Sequence, residues 1–411
     1  MTTVNGERLW QSIEQMGAIG ATAKGGVRRL ALTAEEKAGR DQFVAWCREA
    51  DLIVRIDAIG NIFGRREGTD ATAHAVLCGS HLDTQPEGGR FDGAFGVLAA
   101  LEIVRTLNDA NIRTRLPIEI VSWTNEEGAR FTPSLLGSGV FASVMPLSTA
   151  LDVADQHGVT VGEALRECGY AGEAHFPVKE IDSYFEAHIE QGPILENNGT
   201  TIGVVTGGQA IRWLDVTVQG FGSHAGTTPM VRRKDAFYAV SEMALALESM
   251  AQGDPLLASL ATVGQLNIAN ASRNTIAGNV FFSVDLRHPK DVGMADLHAK
   301  LLQNFNAIAE RRSVSVEIST YLDIPATPFD PACRALVQDA AQDLGYSHQP
   351  IISGAGHDAV QLAKAIPVAM VFIPCVDGLS HNEEEDALPE DVVAGANVLL
   401  HAVLNRAGVV G

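Results

Sequence analysis

The sequence predicts an α/β protein: a largely parallel sheet covered by helices and interrupted by an inserted α+β segment. Three observations predict it. At both ends of the chain, short apolar runs ending in small or polar residues alternate with stretches of helical periodicity. The middle instead alternates apolar and polar residues, as half-exposed antiparallel strands do. The length, 411 residues, exceeds one average domain.

In chain order, MTTVNGERLWQSIEQMG reads as a polar amphipathic helix. AHAVLCGSHLD is a strand running into a polar loop, and GAFGVLAALEIVRTLNDAN repeats Val97, Leu98, Leu101, Val104 and Leu107 at helical spacing. PIEIVSW is a strand that stops at TNEEG, and YFEAHIEQG closes in the same style. From Trp213 the pattern changes. LDVTVQGFG alternates, a Gly/Ser/His/Thr/Pro loop follows, a helix lies near Asp235 to Met250, and strands fall around TVGQLNIA and VFFSVDLRHP. After Leu322, IPATPFD returns to the first pattern; AMVFIP then runs into CVDGLSHNEEE, and DVVAGANVLLHAVLNRAG forms a last apolar-striped helix. The expected division is residues 1–212 with 323–411 as one domain, and 213–322 as an insertion.

Hydrophobic residues make up 46% and charged residues 19%, the composition of an ordered globular chain. The net charge of −20 is spread along the chain and repels phosphate backbones, which excludes a nucleic-acid partner. No stretch of about eighteen apolar residues and no signal-peptide pattern occurs, so no membrane partner is expected. Cys47, Cys78, Cys168, Cys333 and Cys375 are odd in number and scattered, with no CxxC. Neither a disulfide framework nor a thiolate zinc site is indicated, and a reducing, cytoplasmic location is expected.

In open α/β sheets, ligands gather beyond the carboxyl ends of the strands. Polar clusters fall at such ends: His81/Asp83, Glu126/Glu127, His188/Glu190/Gln191 and His381, with Asp92 at the start of a helix. Singly, each has a plain reading. Asp92 suits an N-cap, the two glutamates suit a solvated turn, and the histidines suit satisfied packing positions. Together, imidazoles and carboxylates without thiolate suit Zn²⁺, and also Mn²⁺ or Co²⁺. One aspartate can bridge two such ions, and two ions about 3.5 to 4 Å apart polarise a carbonyl and activate water. A non-ligating carboxylate beside them takes the water's proton. The adjacent Glu126 and Glu127 supply one ligand and one base, while Gly88, Gly89 and Gly93 are positions where the loop must turn tightly.

GSHLDTQPEGGRFDG, NEEGARF, AHIEQGPILE, HAGTTPM, DLRHP, SGAGHDA and DGLSHNEEE, in this order over nearly the whole chain, resemble the hydantoinase/carbamoylase branch of the dinuclear zinc metallopeptidase superfamily. That superfamily also contains aminoacylases and carboxypeptidase G. The resemblance implies a zinc-hydrolase catalytic domain carrying an inserted lid and dimerisation domain. It implies that His81, Asp92 and His188 hold one ion, and that Asp92, Glu127 and His381 hold another. Zn²⁺ is the first choice, with Mn²⁺ or Co²⁺ as alternatives. Glu126 matches the general base, and Asp83 the aspartate accepting a hydrogen bond from the second nitrogen of His81. A histidine at 188 in place of a carboxylate points to the carbamoylase branch.

His224 matches a donor to the scissile carbonyl, from its own or the partner subunit of a homodimer. Asn274 and Arg287 match residues that hold a substrate carboxylate, Arg287 through its planar fork. Gln209 matches a polar hinge-side residue of the substrate site. His357 and Asp358 either line the pocket or cap a helix. The implied substrate is a small carbamoyl compound bearing a carboxylate, cut at its ureido C–N bond to an amino acid, carbon dioxide and ammonia. HLDTQPEGG, IEQGPILE, GGQAIRW and DGLSHN lean towards β-ureidopropionases acting on N-carbamoyl-β-alanine rather than on N-carbamoyl-L-amino acids. The two substrates differ by one methylene, worth about 1–3 kcal/mol in discrimination. Allantoate hydrolysis, and peptidase or aminoacylase activity of the same superfamily, are the alternatives. A catalytically silent dimeric binding protein is a third class, against which stands the retention of all five ligands together with Glu126.

Overall fold

A computed structural model of the chain describes residues 2–70, 72–173, 177–254 and 258–410. It divides into two compact units, Met1–Gly207 with Pro328–Gly411, and Gly208–Thr327.

In the first unit four strands lie side by side and parallel, in the order Ile118–Trp123, Ala75–His81, Ile181–Ile189 and Val368–Ile373. Antiparallel strands flank them: Ile62–Arg66 beside the first and Ile202–Gly208 beside the last. Three of the four central strands are buried at every position, as strands covered on both faces must be. The period of two splits them between two cores. Val76, Cys78, Ile118 and Ile120 pack with Phe95, Leu98 and Leu399 from the helices Ala94–Asp109 and Pro389–Ala407. Ala75, Leu77, Val121 and Trp123 pack on the other face with Phe141, Tyr184 and Leu362. Parallel pairing gives these strands one direction, so their carboxyl ends deliver His81, the loop after Trp123, His188 and the loop after Ile373 to one edge of the sheet.

The second unit is a four-stranded antiparallel sheet in the order Ser315–Ile324, Ala210–Gln219, Asn279–His288, Leu260–Ile268. Along Asn279–His288 buried and half-buried positions alternate strictly. Val280, Phe282, Val284 and Leu286 face a core shared with Met243 and Phe305 of the helices Ala236–Gln252 and Asp291–Arg312. Asp235 caps the first helix by accepting from the amides of Phe237 and Tyr238. The junctions lie outside the expected 213–322. Ala210–Gln219 and Ser315–Ile324 pair along their lengths, from Gln219 opposite Ser315 to Ile211 opposite Ile324, and a boundary at 212/213 would cut that ladder.

Candidate active site

At the carboxyl edge of the first unit's sheet, Asp92 is the centre of a buried cluster. Its Oδ1 lies 3.2 Å from His188 Nε2 and 3.6 Å from His81 Nε2. Its Oδ2 lies 3.3 Å from His381 Nε2, which is itself 3.4 Å from Glu127 Oε2. Donor atoms of His81, Asp92 and His188 fall within 4.8 Å of one another, as do those of Asp92, Glu127 and His381. A third such group among the described residues is Glu186, His188 and His357. Glu126 stands beside the first set, its Oε2 3.5 Å from His81 Nε2, and is buried.

The backbone explains why these side chains converge. His81 and His188 sit at the ends of neighbouring parallel strands, facing the same edge. Asp92 is not the N-cap of the helix Ala94–Asp109: Gly93 takes that position at φ +64, leaving the Asp92 carboxylate to the histidines. Of the three glycines expected to turn the loop, only Gly93 has a left-handed φ. Close approach requires glycine at 89 instead, and makes 88 tight. A Cβ on Gly89 would stand 2.1 Å from the Glu385 carboxyl, and one on Gly88 3.0 Å from Thr84 Cβ.

Asp83 differs from expectation. Its main-chain carbonyl, not its carboxylate, accepts from His81 Nδ1, at 2.9 Å; the nearer carboxylate oxygen is 3.9 Å away. The carboxylate instead accepts the amides of Glu126 and Glu127, each at 3.2 Å. The loop brings the carbonyl of residue 83 to the Nδ1 edge of the ring, so the side chain is left to orient the glutamate pair. Sequence reasoning did not assign Gln85, whose amide and Nε2 donate to Glu127 at 3.0 and 2.8 Å, or Gln191, whose Nε2 donates to Asp92 Oδ2 at 3.0 Å. Gln85 lies in GSHLDTQPEGGRFDG and Gln191 in the polar cluster at its strand end; neither position alone signals contact with a carboxylate from another segment.

The electrostatics follow from burial and proximity. Burial opposes ionisation of Asp92, but contacts with His188, His381 and His81 hold its carboxyl well below the usual range. Burial pulls the imidazole of His81 down, and Glu126, Asp92 and Asp83 outweigh it, raising it well above the usual value. His188 is raised by Asp92 against the same opposition, and contact with Asp92 raises His381 to about 9. Burial pushes Glu126 well up and Glu127 to about 7.

These donors fit divalent ions. Nδ1 of His81 and of His188 each faces a main-chain carbonyl at 2.9 Å, and a carbonyl can only accept, so Nδ1 carries the proton and the Nε2 lone pair points into the cluster. Three Nε2 atoms facing carboxylates with no thiolate nearby suit Zn²⁺, Mn²⁺ or Co²⁺. His357 is buried with its ring 4.5 Å from that of His188; burial keeps it neutral, and its Nε2 has no partner among the described residues. It precedes the helix Asp358–Leu362 without capping it through its side chain. Asp358 is fully buried, and burial with Glu186 nearby raises its carboxyl.

The other expected residues lie in the second unit. His224 is exposed, in an isolated bridge with Thr275, and its Nδ1 accepts the Gly226 amide at 3.0 Å, leaving Nε2–H as an outward donor. Asn274 is exposed on the adjoining loop, its carbonyl accepting the Ala225 amide at 2.8 Å. Arg287 pairs with Asp285 through Nε and Nη2, the latter at 3.0 Å. Gln209 is buried at the start of the unit.

A doubly covered parallel sheet presenting imidazoles and carboxylates around one shared aspartate makes a site that could hold metal ions, as hydrolases of this architecture do. The chain belongs to the peptidase family M20/M25/M40, whose pattern matches residues 77–405, and within it to the metal-dependent hydantoinase/carbamoylase amidohydrolases, which cleave amide C–N bonds. It is 44% identical over 408 residues to an N-carbamoyl-L-amino-acid amidohydrolase of Rhizobium meliloti, covering 99% of this chain and 98% of that one. An allantoate amidohydrolase of Bacillus subtilis is 34% identical over 391 residues, covering 94% of each chain. The crystal structure of a hydantoinase/carbamoylase family amidase from Burkholderia ambifaria superposes with a TM-score of 0.93 at 57% identity, covering 100% of both chains.

Proposed function

We propose that the protein hydrolyses the ureido C–N bond of N-carbamoyl-L-amino acids, releasing the amino acid, carbon dioxide and ammonia. The carrying observation is the division of Asp92, with Oδ1 towards His188 and His81 and Oδ2 towards His381. This supports two ions, one held by His81, Asp92 and His188 and the other by Asp92, Glu127 and His381, with Zn²⁺ the first choice. Such ions, when bound, supply Lewis-acid polarisation of the ureido carbonyl and activation of water.

The chain's own groups do the rest. Glu126, buried and beside His81 but outside both ligand sets, takes the proton of the attacking water and passes it to the leaving nitrogen. Asp83 orients that base by holding its amide. The family resemblance assigns to His224, of this chain or a partner copy, the hydrogen bond to the oxygen on which charge develops. Arg287, with Asn274, holds the substrate carboxylate, and Gln209 and His357 line the substrate site; these roles rest on the family resemblance.

The named relatives favour an L-α-amino acid over β-alanine as the released product, and the Bacillus subtilis relative makes allantoate the second reading. A homodimer through the second unit is supported by its exposed apolar side chains, Phe237, Tyr238 and Leu245 on one helix and Leu260 and Leu266 on the edge strand. Among the described residues no helix is long and apolar enough to cross a membrane. All five cysteines are buried thiols, which supports a reducing, cytoplasmic location. Ammonia release from N-carbamoyl-L-amino acids, N-carbamoyl-β-alanine and allantoate tests the reading: the first group is expected to give the highest kcat/KM. Turnover of peptides or N-acyl amino acids alone would overturn it.

A further inference from the structure

Glu385 is 2% exposed, yet it lies outside both ligand sets and the family resemblance gives it no role. Its Oε1 accepts the amides of Phe91 and Asp92, both at 3.0 Å. Its Oε2 accepts from Ser380 Oγ at 3.0 Å, and the same hydroxyl lies 3.2 Å from Asp92 Oδ2. A carboxylate this buried is tolerated only when donors surround it, and these three come from two separate loops. One loop carries Asp92; the other carries His381. Next to Glu385, Asp386 adds an ion pair to Arg90 at 3.0 Å. Gly89 leaves the space that the glutamate occupies, because a Cβ there would stand 2.1 Å from the Glu385 carboxyl carbon.

The two ligand sets depend on this contact unequally. His81 and His188 lie at strand ends that are still paired, His81 opposite Trp123 and His188 opposite Phe372. Glu127 and His381 stand on loops, and His381 holds a left-handed φ of +54 with its side chain 49% exposed. Its placement therefore relies on neighbours, and Ser380 tied to Glu385 is the adjacent one. We infer that Glu385 is a positioning residue that locks the His381 loop onto the Asp92 loop and thereby sets affinity chiefly at the ion position formed by Asp92, Glu127 and His381, while at the His81/Asp92/His188 position it reaches only the shared Asp92 and leaves both histidines to the sheet. This inference rests on the proposed two-ion reading.

Co²⁺ titration of the metal-free full-length protein, followed by visible absorption and calorimetry, tests it. Wild type is expected to bind two ions in separable steps. Glu385→Ala is expected to weaken one step by roughly 10–100-fold, the range usual for partners that orient metal ligands, and the other step far less. His381→Ala identifies the more weakened step. Glu385→Gln is expected to restore most of the loss, because its carbonyl oxygen accepts both amides and its nitrogen can donate to Ser380. Gly89→Ala, which displaces Glu385 from another loop, is expected to reproduce the selective loss, and it decides the matter if Glu385→Ala does not fold. Two wild-type steps in both Glu385→Ala and Gly89→Ala, or equal weakening of both steps, would overturn the inference while leaving the two-ion reading intact. A wild type that binds fewer than two ions would overturn both.

Discussion

The imidazole of His81 packs directly against Gly93: a Cβ on residue 93 would stand 2.4 Å from both Cε1 and Nε2 of the ring, and the backbone there has φ +64. The helix start and the imidazole proposed as a metal ligand thus occupy space that a side chain at 93 would take. Gly93→Ala is expected to displace His81 and weaken Zn²⁺ binding by roughly 10–100-fold with the global fold retained. Unchanged Zn²⁺ affinity in a chelator-competition titration would show that the ring does not need this space.

The proposed function gives the neighbours Glu126 and Glu127 separable roles. Glu126→Gln is expected to keep normal metal content while kcat falls about 10²–10⁴-fold, because the proton acceptor is lost and the ligands remain. Glu127→Gln removes an oxygen that faces His381 and is expected to lower metal content as well. Elemental analysis beside steady-state kinetics separates them; equal metal loss in both variants would reverse the assignment.

Metal affinity is expected to rise with pH. In the metal-free protein contact with Asp92 raises His381 to about 9, His81 and His188 are raised too, and burial lifts Glu127 to about 7. Below those values the ion must expel protons to bind, so affinity falls as pH drops and climbs until His381 is neutral. Zn²⁺ competition titrations from pH 6 to 9, with proton release measured in buffers of different ionisation enthalpy, check the sign. A pH-independent affinity would show that the cluster holds no such protons.

How much of this was legible in the sequence depends on the kind of contact. Strand, loop and helix order placed His81, Asp92, Glu126, Glu127, His188 and His381 at one edge, because residues at the ends of parallel strands are gathered by topology alone. The hydrogen bond from His81 was misplaced on the Asp83 carboxylate, since spacing does not distinguish a main-chain carbonyl from a side chain two residues on. Gly89 carries no signature separating a turn from a close approach, and its partner Glu385 lies 296 positions away in the chain. The expected edge at 212/213 falls inside the strand Ala210–Gln219, where residue patterning marks no break.

Subunit complementation tests whether His224 acts across a dimer. Glu126→Gln and His224→Ala, each inactive alone, are allowed to exchange subunits. If His224 serves the neighbouring site, a mixed dimer regenerates one intact site, and random mixing restores about a quarter of wild-type activity. No recovery despite demonstrated exchange would place His224 at its own chain's site.

Arg287 is expected to need its planar fork. Arg287→Lys keeps the charge but loses the two-point contact, and kcat/KM for carboxylate substrates is expected to fall about 30-fold, corresponding to roughly 2 kcal/mol for a charged hydrogen bond. Unchanged kinetics would remove Arg287 from the substrate site and leave it a structural role such as the pairing with Asp285.

The most direct test of the shared-aspartate site is stepwise return of Zn²⁺ or Mn²⁺ to chelated protein while ammonia release from an N-carbamoyl-L-amino acid is followed. Activity is expected to be absent in the metal-free enzyme and to reach its maximum at two ions per chain, with Asp92→Asn unable to recover it at any metal concentration. Full activity in protein shown by elemental analysis to hold no divalent ion would contradict the two-ion site.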